Sequence, residues 1–361
     1  MNFSFFEEDS SDIAMIVQNE QDTTYEQLLM LFILVSSRRK RVFLIRSNSW
    51  YRCVNENFTE NQFKETFRMS KTCFELILAK YASSLNYPEE YNKTRFEFGI
   101  TLYFCSRPIT YRDVANLFGI SSTNTYRIIN NVLGVFNNKI MPLYCRLPEA
   151  DEMEAISDMF LMKSNLSGTI LAVDGTHLPI EAPKTCPERY VNRKGWHSVN
   201  FQCAVDAKCV FRNIFGVFPG SCHDAYVFRR SKLKLYIESE IPAPYYVIGD
   251  AAYPIMGHLK RPFKGNLTTE QANYNYRLSA QRMSVERAFG CLKGRFKRFR
   301  YPAKNGERKP FCYQFIFACL IHNMIIEQRG MELDDFIEEF ENDNQYNYDD
   351  SDELSNDDTE I

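Results

Sequence analysis

The stretch Thr169-Ile-Leu-Ala-Val-Asp-Gly-Thr-His177 decides the fold prediction. It opens with a continuous run of β-favouring residues, which is typical of a buried strand, and the run ends at Asp174. A second short strand is predicted over residues 245–248 and leads into Gly249-Asp-Ala-Ala-Tyr253. Each of the two strands therefore ends at an aspartate, the second at Asp250.

Outward from these strands, the chain alternates between strand and helix patterns. Residues 199–205 and 210–218 flank Asp206-Ala-Lys208, an arrangement that predicts a β-hairpin. Helices are predicted over residues 224–238 and 274–299. Because a hairpin is antiparallel and strands joined by helices need crossovers, the predicted fold class is α/β with a mixed sheet.

The two strand-end aspartates point to metal chemistry. In open α/β sheets, sites form at the carboxyl ends of the strands. Two carboxylates held side by side there repel each other, and their pKa values rise unless a cation lies between them. Oxygen-only ligands of this kind suit Mg²⁺ or Mn²⁺. Asp174 and Asp250 are therefore candidate metal ligands.

A third acid, Glu286, lies in the predicted helix over residues 274–299. Apolar residues step by four, three, four and three along this helix and form one buried stripe. They are Val285, Phe289, Leu292, Phe296 and Phe299. Viewed down the helix axis, Glu286 lies about 100° from Val285, at the edge of the stripe. From there its carboxylate could reach the two aspartates. The alternative is that it pairs with Arg282 or Arg287 on a solvated face.

A fourth acid, Asp224, stands just before the predicted helix over residues 224–238, in Ser221-Cys-His-Asp-Ala-Tyr226. An aspartate in this position commonly caps the helix N-terminus. The alternative is that Asp224 is an additional metal ligand.

Cations cluster near these acids. The helix that carries Glu286 is rich in Lys and Arg that cannot all be buried, and a DNA backbone is a suitable partner for them. The segment Arg189-Tyr-Val-Asn-Arg-Lys-Gly-Trp-His-Ser198 could hold a phosphate or stack on a base, or it could be a plain surface loop. The candidate DNA contacts in these two regions are Arg193, Lys194, Lys293, Arg295, Lys297 and Arg298.

Residues 61–136 have a helical pattern, and a helix-turn-helix is predicted within them. Thr110 and Asp113 form a helix-start pattern, Gly119 ends that helix, and a second helix follows. The polar residues predicted to be exposed on the second helix, and to contact DNA, are Thr123, Asn124, Thr125 and Arg127. The alternative is an ordinary helical hairpin.

The formal net charge of −3 hides an asymmetry along the chain. Residues 331–361 hold 14 Asp or Glu and no Lys or Arg, which leaves residues 1–330 with a net charge of +11. A basic body favours polyanions such as nucleic acid, unless the cations simply solvate a large surface. The acidic tail is predicted to be disordered, and one hypothesis is that it mimics DNA and restrains the basic body in cis.

Length and composition exclude several classes of protein. With 361 residues and 52 aromatic side chains, the chain is long and apolar enough for two or three folded domains and is not disordered throughout. Its best apolar run, residues 28–35, is far shorter than the roughly 20 residues that span a bilayer. Acidic residues precede any basic one, unlike a secretory signal. Eleven cysteines without a CxxC pair favour free thiols in the cytosol or nucleus.

In combination and order, these motifs resemble the PIF/Harbinger transposases, which are DDE superfamily endonucleases. The resemblance covers residues 38–327. The motifs are Asp174-Gly-Thr-His177, residues 190–200, Gly220-Ser-Cys-His-Asp224, Gly249-Asp-Ala-Ala-Tyr253 and Val285-Glu-Arg-Ala-Phe-Gly290, with similar segments at Phe67-Arg-Met-Ser70, Tyr111-Arg-Asp-Val-Ala115 and Leu320-Ile-His-Asn323.

The resemblance implies an RNase H-like α/β core with an N-terminal helical, helix-turn-helix-like domain. It implies an Asp-Asp-Glu triad at Asp174, Asp250 and Glu286, with Asp224 as a further acid for metal. The implied activity is cleavage of DNA phosphodiester bonds with two Mg²⁺ or Mn²⁺ ions. The implied setting is the nucleus, with some protein in the cytoplasm, beside a Myb-like DNA-binding partner.

Four segments follow from these patterns. Residues 1–37 form an N-terminal segment with one helix, 38–150 a helix-turn-helix-like region, 151–330 the nuclease domain, and 331–361 the acidic tail. The acidic first 20 residues and the tail have no place in the family pattern. A different interpretation is a domesticated DNA-binding or interaction protein that keeps the fold without turnover. The sequence leaves a homo-oligomer open, and a weaker alternative is an RNA-directed nuclease.

Overall fold

Residues 49–85, 91–304 and 308–329 are described by the computed structural model of this chain. They belong to one of the two compact units of the chain, Ser47–Ile361; the other is Met1–Arg46. The helix predicted within residues 1–37 and the disorder predicted for residues 331–361 lie outside the described residues. The four proposed segment boundaries stay predictions.

Helices fill the first part of the described chain. Several begin at a side-chain cap. At α2, the Gln62 backbone N–H donates to the Thr59 hydroxyl, and the Thr59 backbone N–H donates to Gln62 Oε1. The helical pattern predicted over residues 61–136 is confirmed where the chain is described. The helices are α1 (Ser49–Asn57), α2 (Glu60–Phe67), α3 (Lys71–Ser83), α4 (Tyr91–Ser106), α5 (Tyr111–Phe118), α6 (Ser122–Val135), α7 (Met141–Tyr144) and α8 (Ala150–Ser164), with a π-helical turn at Phe136–Ile140.

The predicted helix pair is present as α5 and α6. Thr110 and Asp113 form the expected capping box at the start of α5. Gly119 ends α5 with a φ of 71°, a left-handed conformation that glycine adopts without strain. Thr125 was predicted to be exposed on α6, and this prediction is wrong. Its side chain is fully buried and its hydroxyl donates to the Ser121 carbonyl, so burial leaves no unpaired donor.

A five-stranded mixed sheet follows, in the order β3-β2-β1-β4-β5. Strand β1 pairs antiparallel with β2, which pairs antiparallel with β3 as the predicted hairpin. On its other side β1 pairs parallel with β4, and β4 with β5. The predicted α/β class with a mixed sheet is confirmed. The strands are β1 (Thr169–Pro179), β2 (Ser198–Val205), β3 (Phe211–Pro219), β4 (Tyr246–Ile248) and β5 (Leu259–Lys260).

Helices also surround the sheet. Both α8 and α11 pack against β1, and α12 packs against β3. The single helix predicted over residues 224–238 is two helices, because the Ser231 side chain caps a new one at the Lys234 backbone N–H. The helices are α9 (Asp224–Phe228), α10 (Lys232–Ser239), α11 (Thr269–Arg295) and α12 (Arg308–Arg329), with 3-10 turns at Pro187–Tyr190 and Lys297–Arg300.

One continuous hydrophobic core joins the N-terminal helices to the sheet. Phe98 of α4, Phe136 and Phe317 of α12 form a mutual aromatic contact in it. Within α12, the stretch Lys309–Gln328 is long and apolar enough to cross a membrane, and most of it is buried inside the protein. All eleven cysteines are free thiols, and seven of them are buried.

Two polar residues of α12 form hydrogen bonds with the backbone of the β2–β3 hairpin. The Asn323 side-chain amide accepts from the Phe211 backbone N–H and donates to the Phe211 carbonyl, both over 2.8 Å. It thus satisfies both backbone groups of Phe211, as the backbone of a neighbouring strand does in a sheet. His322 Nε2 lies 2.9 Å from the Cys209 carbonyl and therefore carries the proton. The motif Leu320-Ile-His-Asn323 thus has a structural role, which lies in positioning the sheet.

Candidate active site

All four predicted acids line one cavity of about 530 Å³. It lies along the second half of β1 and beyond the end of β4, where α9 and α11 pass over the sheet. The acids on its wall are Asp174, Asp224, Asp250 and Glu286. The structure therefore brings together residues that lie up to 112 positions apart in sequence.

The prediction that the first strand ends at Asp174 is wrong, because antiparallel pairing with β2 extends β1 to Pro179. Asp174 lies in the middle of β1, opposite Cys203 of β2. The Gly175 backbone N–H donates to its Oδ1 over 2.8 Å. Burial raises the pKa of Asp174 to about 6, although the positive charge of Arg282 and the Gly175 hydrogen bond pull it down. The carboxylates of Asp250 and Asp224 add to the upward shift, which indicates that they lie close by.

Asp224 is the first residue of α9, and its side chain turns to the sheet instead of capping the helix. Its Oδ1 accepts from Asn200 Nδ2 of β2 over 3.0 Å. A Cβ on Gly175 would lie 2.4 Å from the same oxygen, so only glycine leaves room for Asp224 here. Burial raises the pKa of Asp224, and Asp250 raises it further. This placement favours the metal-ligand interpretation of Asp224 over the cap.

Asp250 follows directly after β4, as predicted. Its Oδ1 accepts from the Ala252 backbone N–H over 2.9 Å, which holds the carboxylate at the turn. Tyr253, three residues further on, is fully buried. Burial raises the pKa of the Tyr253 phenol well above its usual range, and the charges of the three aspartates add to this. The phenol thus lies close behind the aspartate group.

Glu286 lies on α11 at the edge of the buried stripe, which includes the buried Val285 and Leu292. Its side chain is 56% exposed. Arg282, one turn earlier, places Nη2 3.4 Å from Glu286 Oε1 and 3.6 Å from Asp174 Oδ2. The pairing with Arg282 that was one sequence-based alternative is therefore present, and it coexists with a place on the cavity wall.

The donor set suits a hard divalent cation, because every acidic group on the wall offers oxygen alone. The charges of Asp250 and Asp224 raise the pKa of Asp174, and the charge of Asp250 raises the pKa of Asp224. Within residues 49–85, 91–304 and 308–329, however, the side chains do not converge into a ready-made group of three metal ligands. The Glu286 carboxylate, in particular, interacts with Arg282. The oxygen donors of the three aspartates therefore suit a cation, but the carboxylates of the site, Glu286 included, would have to turn towards it.

Asn192 organises the loop on the opposite rim of the cavity. Its Oδ1 accepts from the backbone N–H groups of Lys194 and Trp196, and its Nδ2 donates to Ser198 Oγ. The same Ser198 hydroxyl lies 2.9 Å from His177 Nδ1. The loop therefore presents two exposed cations, Lys194 and its neighbour Arg193, at the mouth of the cavity.

His177 is held as a neutral group in this structure. Burial, together with the positive charges of Lys293, Arg193 and Lys194, lowers its pKa to about 4. Trp196 packs edge-on against its ring at 6.0 Å. His177 thus bonds to Ser198 as a neutral imidazole at physiological pH.

The four predicted DNA contacts on and after α11 differ in burial: two are partly exposed and two are buried. Lys293 lines the cavity, and burial lowers its pKa to about 8; Lys297 is half-buried. The expectation that Arg295 and Arg298 contact DNA is wrong, since both side chains are buried. Arg298 donates to Gln314 Oε1 and the Ile109 carbonyl, and Arg295 donates to the Arg68 carbonyl.

The residues of α6 stand apart from this cavity and do not line it. Thr123 and Arg127 are exposed and Asn124 is half-buried. Arg127 donates to Asn124 Oδ1 over 2.8 Å, one turn away. The DNA contacts proposed for α6 stay predictions.

Sequence reasoning missed the asparagines of this site. Asn200 holds Asp224, and Asn192 holds the basic loop. A signal was present in β2, where Asn200 and Gln202 interrupt a strand whose eight residues are all buried. Buried polar side chains need hydrogen-bond partners. For Asn200, that partner is Asp224 of the site.

The part of the chain that carries the four acids is similar to a known family of proteins. Residues 173–323 match the model of a family described as DDE superfamily endonuclease. This stretch of the chain is similar to DDE superfamily endonucleases. It begins at the residue before Asp174 and ends at Asn323, so it contains all four acids of the cavity.

Curated relatives agree with the DDE endonuclease assignment. The chain is 27% identical over 229 residues to "Putative nuclease HARBI1" of Homo sapiens and 25% identical over 227 residues to that of Bos taurus. Each match covers 61% of this chain and 63% of the relative, so the chain spans less than two thirds of their length. It is also 25% identical over 244 residues to "Protein ALP1-like" of Arabidopsis thaliana, covering 60% of each.

These relatives confirm the resemblance to Harbinger-derived DDE endonucleases that the motifs predicted. No solved structure matches the chain. The mixed sheet and its surrounding helices are consistent with a DDE nuclease fold.

Proposed function

We propose that this protein is an endonuclease that cleaves DNA phosphodiester bonds with the help of divalent cations. The observation that carries the proposal is the single cavity walled by Asp174, Asp224, Asp250 and Glu286 within the stretch that is similar to DDE superfamily endonucleases. The relatives whose names include a nuclease support the same reaction class. DNA as the substrate rests on the family resemblance and on the basic rim.

We infer that the sheet is the core of an RNase H-like fold. Its order, β3-β2-β1-β4-β5, with an antiparallel first half and parallel β4 and β5, supports this inference. Strands β1 and β4 are adjacent and parallel, with Ala172 opposite Ile248. Asp174 and Asp250 each follow this pair by two residues, which supports their lying side by side. The sheet topology thus accounts for the pairing of the two aspartates.

The acids act by holding Mg²⁺ or Mn²⁺, two ions in the proposed mechanism. In this mechanism Asp174 would help to hold both ions, Asp250 and Glu286 would each help to hold one, and Asp224 would add a further carboxylate. When bound, such ions acidify a water or 3′-hydroxyl nucleophile and stabilise the leaving oxygen. Asp174 must be ionised to take part, and with a pKa of about 6 it is ionised at neutral pH.

The cations of the cavity hold the phosphate backbone of the substrate. Arg193 and Lys194 are exposed on the loop at one rim, and Lys293 lies on the wall beside α11. A strand between them would meet positive charge on two sides while its scissile phosphate faces the acids. The net charge of +11 over residues 1–330 favours approach to DNA in the same way.

The cellular setting is a further part of the proposal and rests on the family resemblance. We propose that the protein acts in the nucleus, with a pool in the cytoplasm. A Myb-like DNA-binding protein would assist its import and its choice of DNA site. Co-precipitation with such a partner, and loss of nuclear signal when that partner is depleted, would test this setting.

A second function is favoured by one specific contact. Arg282 forms ion pairs with both Asp174 and Glu286, two of the three triad acids. A protein that had lost turnover could keep such an arrangement and still bind DNA through its basic rim. The second candidate is therefore a domesticated DNA-binding protein that keeps the fold without cleavage.

One experiment separates the two functions. Supercoiled and linear duplex DNA are incubated with the purified protein and Mg²⁺ or Mn²⁺, beside Asp174→Asn and Glu286→Gln. Matched controls are Asp158→Asn and Glu154→Gln, because both acids are exposed on α8 outside the cavity. Cleavage that only the cavity variants abolish supports the nuclease. Salt-sensitive binding by all five proteins with no cleavage, even with a Myb-like partner added, supports the second function.

A further inference from the structure

A second concave surface lies away from the acids. This groove has a volume of about 820 Å³ and is formed by α7, α8, the β2–β3 turn and the end of α12. It shares no lining residue with the acidic cavity. Its floor and walls are largely apolar, and they include Leu143, Met159, Met162, Val210 and Ile326.

Two of these apolar side chains are unusually exposed. Met162 is 83% exposed and Leu143 is 67% exposed. Large apolar side chains that share one concave surface commonly mark an interaction site. Methionine adds an adaptable contact surface. The groove therefore has the character of a surface that another segment covers.

The rim of the groove is basic. Arg146, Lys163, Lys208 and Arg212 all line it, against Asp206 and Glu327 as the acids. Two of these cations are already paired: Arg212 with Asp206 over 2.8 Å and with Glu152 over 3.3 Å, and Arg146 with Glu152 over 2.6 Å. Lys208 is exposed at the turn between β2 and β3. An occupant with apolar and acidic residues would match both the floor and the rim.

Such a segment follows α12 directly in the sequence. Residues 331–341 read Met-Glu-Leu-Asp-Asp-Phe-Ile-Glu-Glu-Phe-Glu. Their apolar residues Leu333, Phe336, Ile337 and Phe340 have the i, i+3, i+4, i+7 spacing of one helix face. The remaining positions include six acids. The pattern is amphipathic, with an apolar stripe and an acidic opposite side.

Chain continuity brings this segment to the groove. Ile326 and Glu327 line the groove, and α12 ends at Arg329. Gly330 comes next and suits the left-handed turn that commonly ends a helix. A loop of two to five residues is enough to reverse the chain between two helices. The segment therefore starts within a few residues of the surface that it would cover.

We propose that residues 331–341 dock in cis as an amphipathic helix in the groove of α7, α8 and α12. Leu333, Phe336, Ile337 and Phe340 cover Leu143 and Met162, and the acidic side faces Lys208 and the neighbouring rim cations. The docked segment fixes the first part of the acidic tail on a surface separate from the acidic cavity. This inference is independent of whether the cavity cleaves DNA.

Hydrogen exchange of the full chain tests the proposal. Backbone amides of residues 332–341 are expected to exchange at least about tenfold more slowly than in a free peptide of the same sequence. Met162→Glu places an acid in the groove against the acidic segment, and it should return these amides to the rate of the peptide. Leu235→Glu is the matched control, since Leu235 is 62% exposed on α10 outside the groove.

Three outcomes decide the matter. Slow exchange that is lost in Met162→Glu and in Phe336→Ser/Phe340→Ser, but kept in Leu235→Glu, supports docking in cis. Peptide-like exchange in the parent chain, or slow exchange that Met162→Glu leaves unchanged, overturns it. Protection that disappears on dilution would assign the groove to a second copy of the chain and would also overturn it.

Discussion

Arg282 Nη2 lies 3.6 Å from Asp174 Oδ2, and so joins α11 to the middle of β1. The same nitrogen lies 3.4 Å from Glu286 Oε1. One guanidinium therefore pairs with two of the acids that would hold a cation in the proposed nuclease. Its charge also lowers the pKa of Asp174, against the larger upward effect of burial. Arg282 and a metal ion compete for the same oxygens.

The competition predicts that Arg282→Gln binds Mn²⁺ more tightly than the parent protein. A partly exposed ion pair contributes about 1 kcal/mol or less, so the gain in affinity should be up to about fivefold. Titration at pH 8, followed by electron paramagnetic resonance, measures it while Asp174 is ionised. Arg287→Gln is the control because Arg287 is exposed on the same helix and does not line the cavity. Equal affinity in all three proteins would show that the contact does not restrain the acids.

Gly175→Ala is predicted to disable the metal site without unfolding the protein. The new methyl would lie 2.4 Å from Asp224 Oδ1 and would force that carboxylate out of its place beside Asn200. Removing a group that positions a metal ligand typically lowers affinity about 10- to 100-fold. Mn²⁺ titration gives the affinity, and thermal unfolding gives the stability.

Gly134→Ala provides the matched control for this change. Gly134 lies within α6, and a Cβ there meets nothing within 4 Å. This variant should bind Mn²⁺ as the parent does and should be slightly more stable, since alanine favours a helix. A Gly175→Ala protein with unchanged Mn²⁺ affinity would exclude Asp224 from the ligands.

The positions of the acids were predictable because local patterns determine them. Apolar runs located β1 and β4, and an aspartate at the end of each run follows the general rule for α/β sites. The 4-3-4-3 stripe on α11 likewise located Glu286 at the edge of a buried face. Both features can be recognised from the spacing of the apolar residues and from the order of strands and helices along the chain.

The burial of Arg295 and Arg298 could not be predicted in the same way. Their covering contacts come from Arg68 and Ile109, 227 and 189 residues away. Arg298 also stacks over Phe104 at 4.1 Å. A helical pattern identifies a polar face, but it does not reveal that an N-terminal helix and loop pack on that face. Contacts between distant parts of the chain bury these two cations and give them a structural role.

His322 is predicted to make stability depend on pH. Its pKa is lowered to about 3 by burial, against 6.5 in an unfolded chain. Between these values the unfolded state binds more protons, so stability is fully present above pH 6.5 and falls as pH decreases towards 3. Each pH unit in that window is worth up to about 1.4 kcal/mol. Urea unfolding at pH 7.5 and pH 5 measures the loss.

The variant His322→Gln isolates this contribution. Glutamine can keep a donor towards the Cys209 carbonyl but does not titrate, so the variant should lose about 2 kcal/mol less than the parent between the two pH values. His223→Gln, at an exposed position before α9, should keep the loss of the parent. An identical loss in parent and His322→Gln would show that His322 does not govern the pH response.

The two kinds of cation in the structure should respond differently to substitution. Arg193 and Lys194 are exposed at the cavity mouth, so the Arg193→Gln/Lys194→Gln protein should bind duplex DNA more weakly with unchanged stability. The slope of log K against log salt should become less steep by about 0.9 for each phosphate that the protein no longer neutralises. Fluorescence anisotropy across a salt series gives the slope.

Arg298→Gln should show the opposite pattern. The change leaves Gln314 Oε1 and the Ile109 carbonyl without their donor, which costs about 1–3 kcal/mol of unfolding free energy for a buried group. It should leave the salt slope as in the parent, because the buried Arg298 has no access to a phosphate. A shallower slope at full stability would mean that Arg298 contacts DNA after all. Unfolding and binding measured on the same preparations distinguish the two roles.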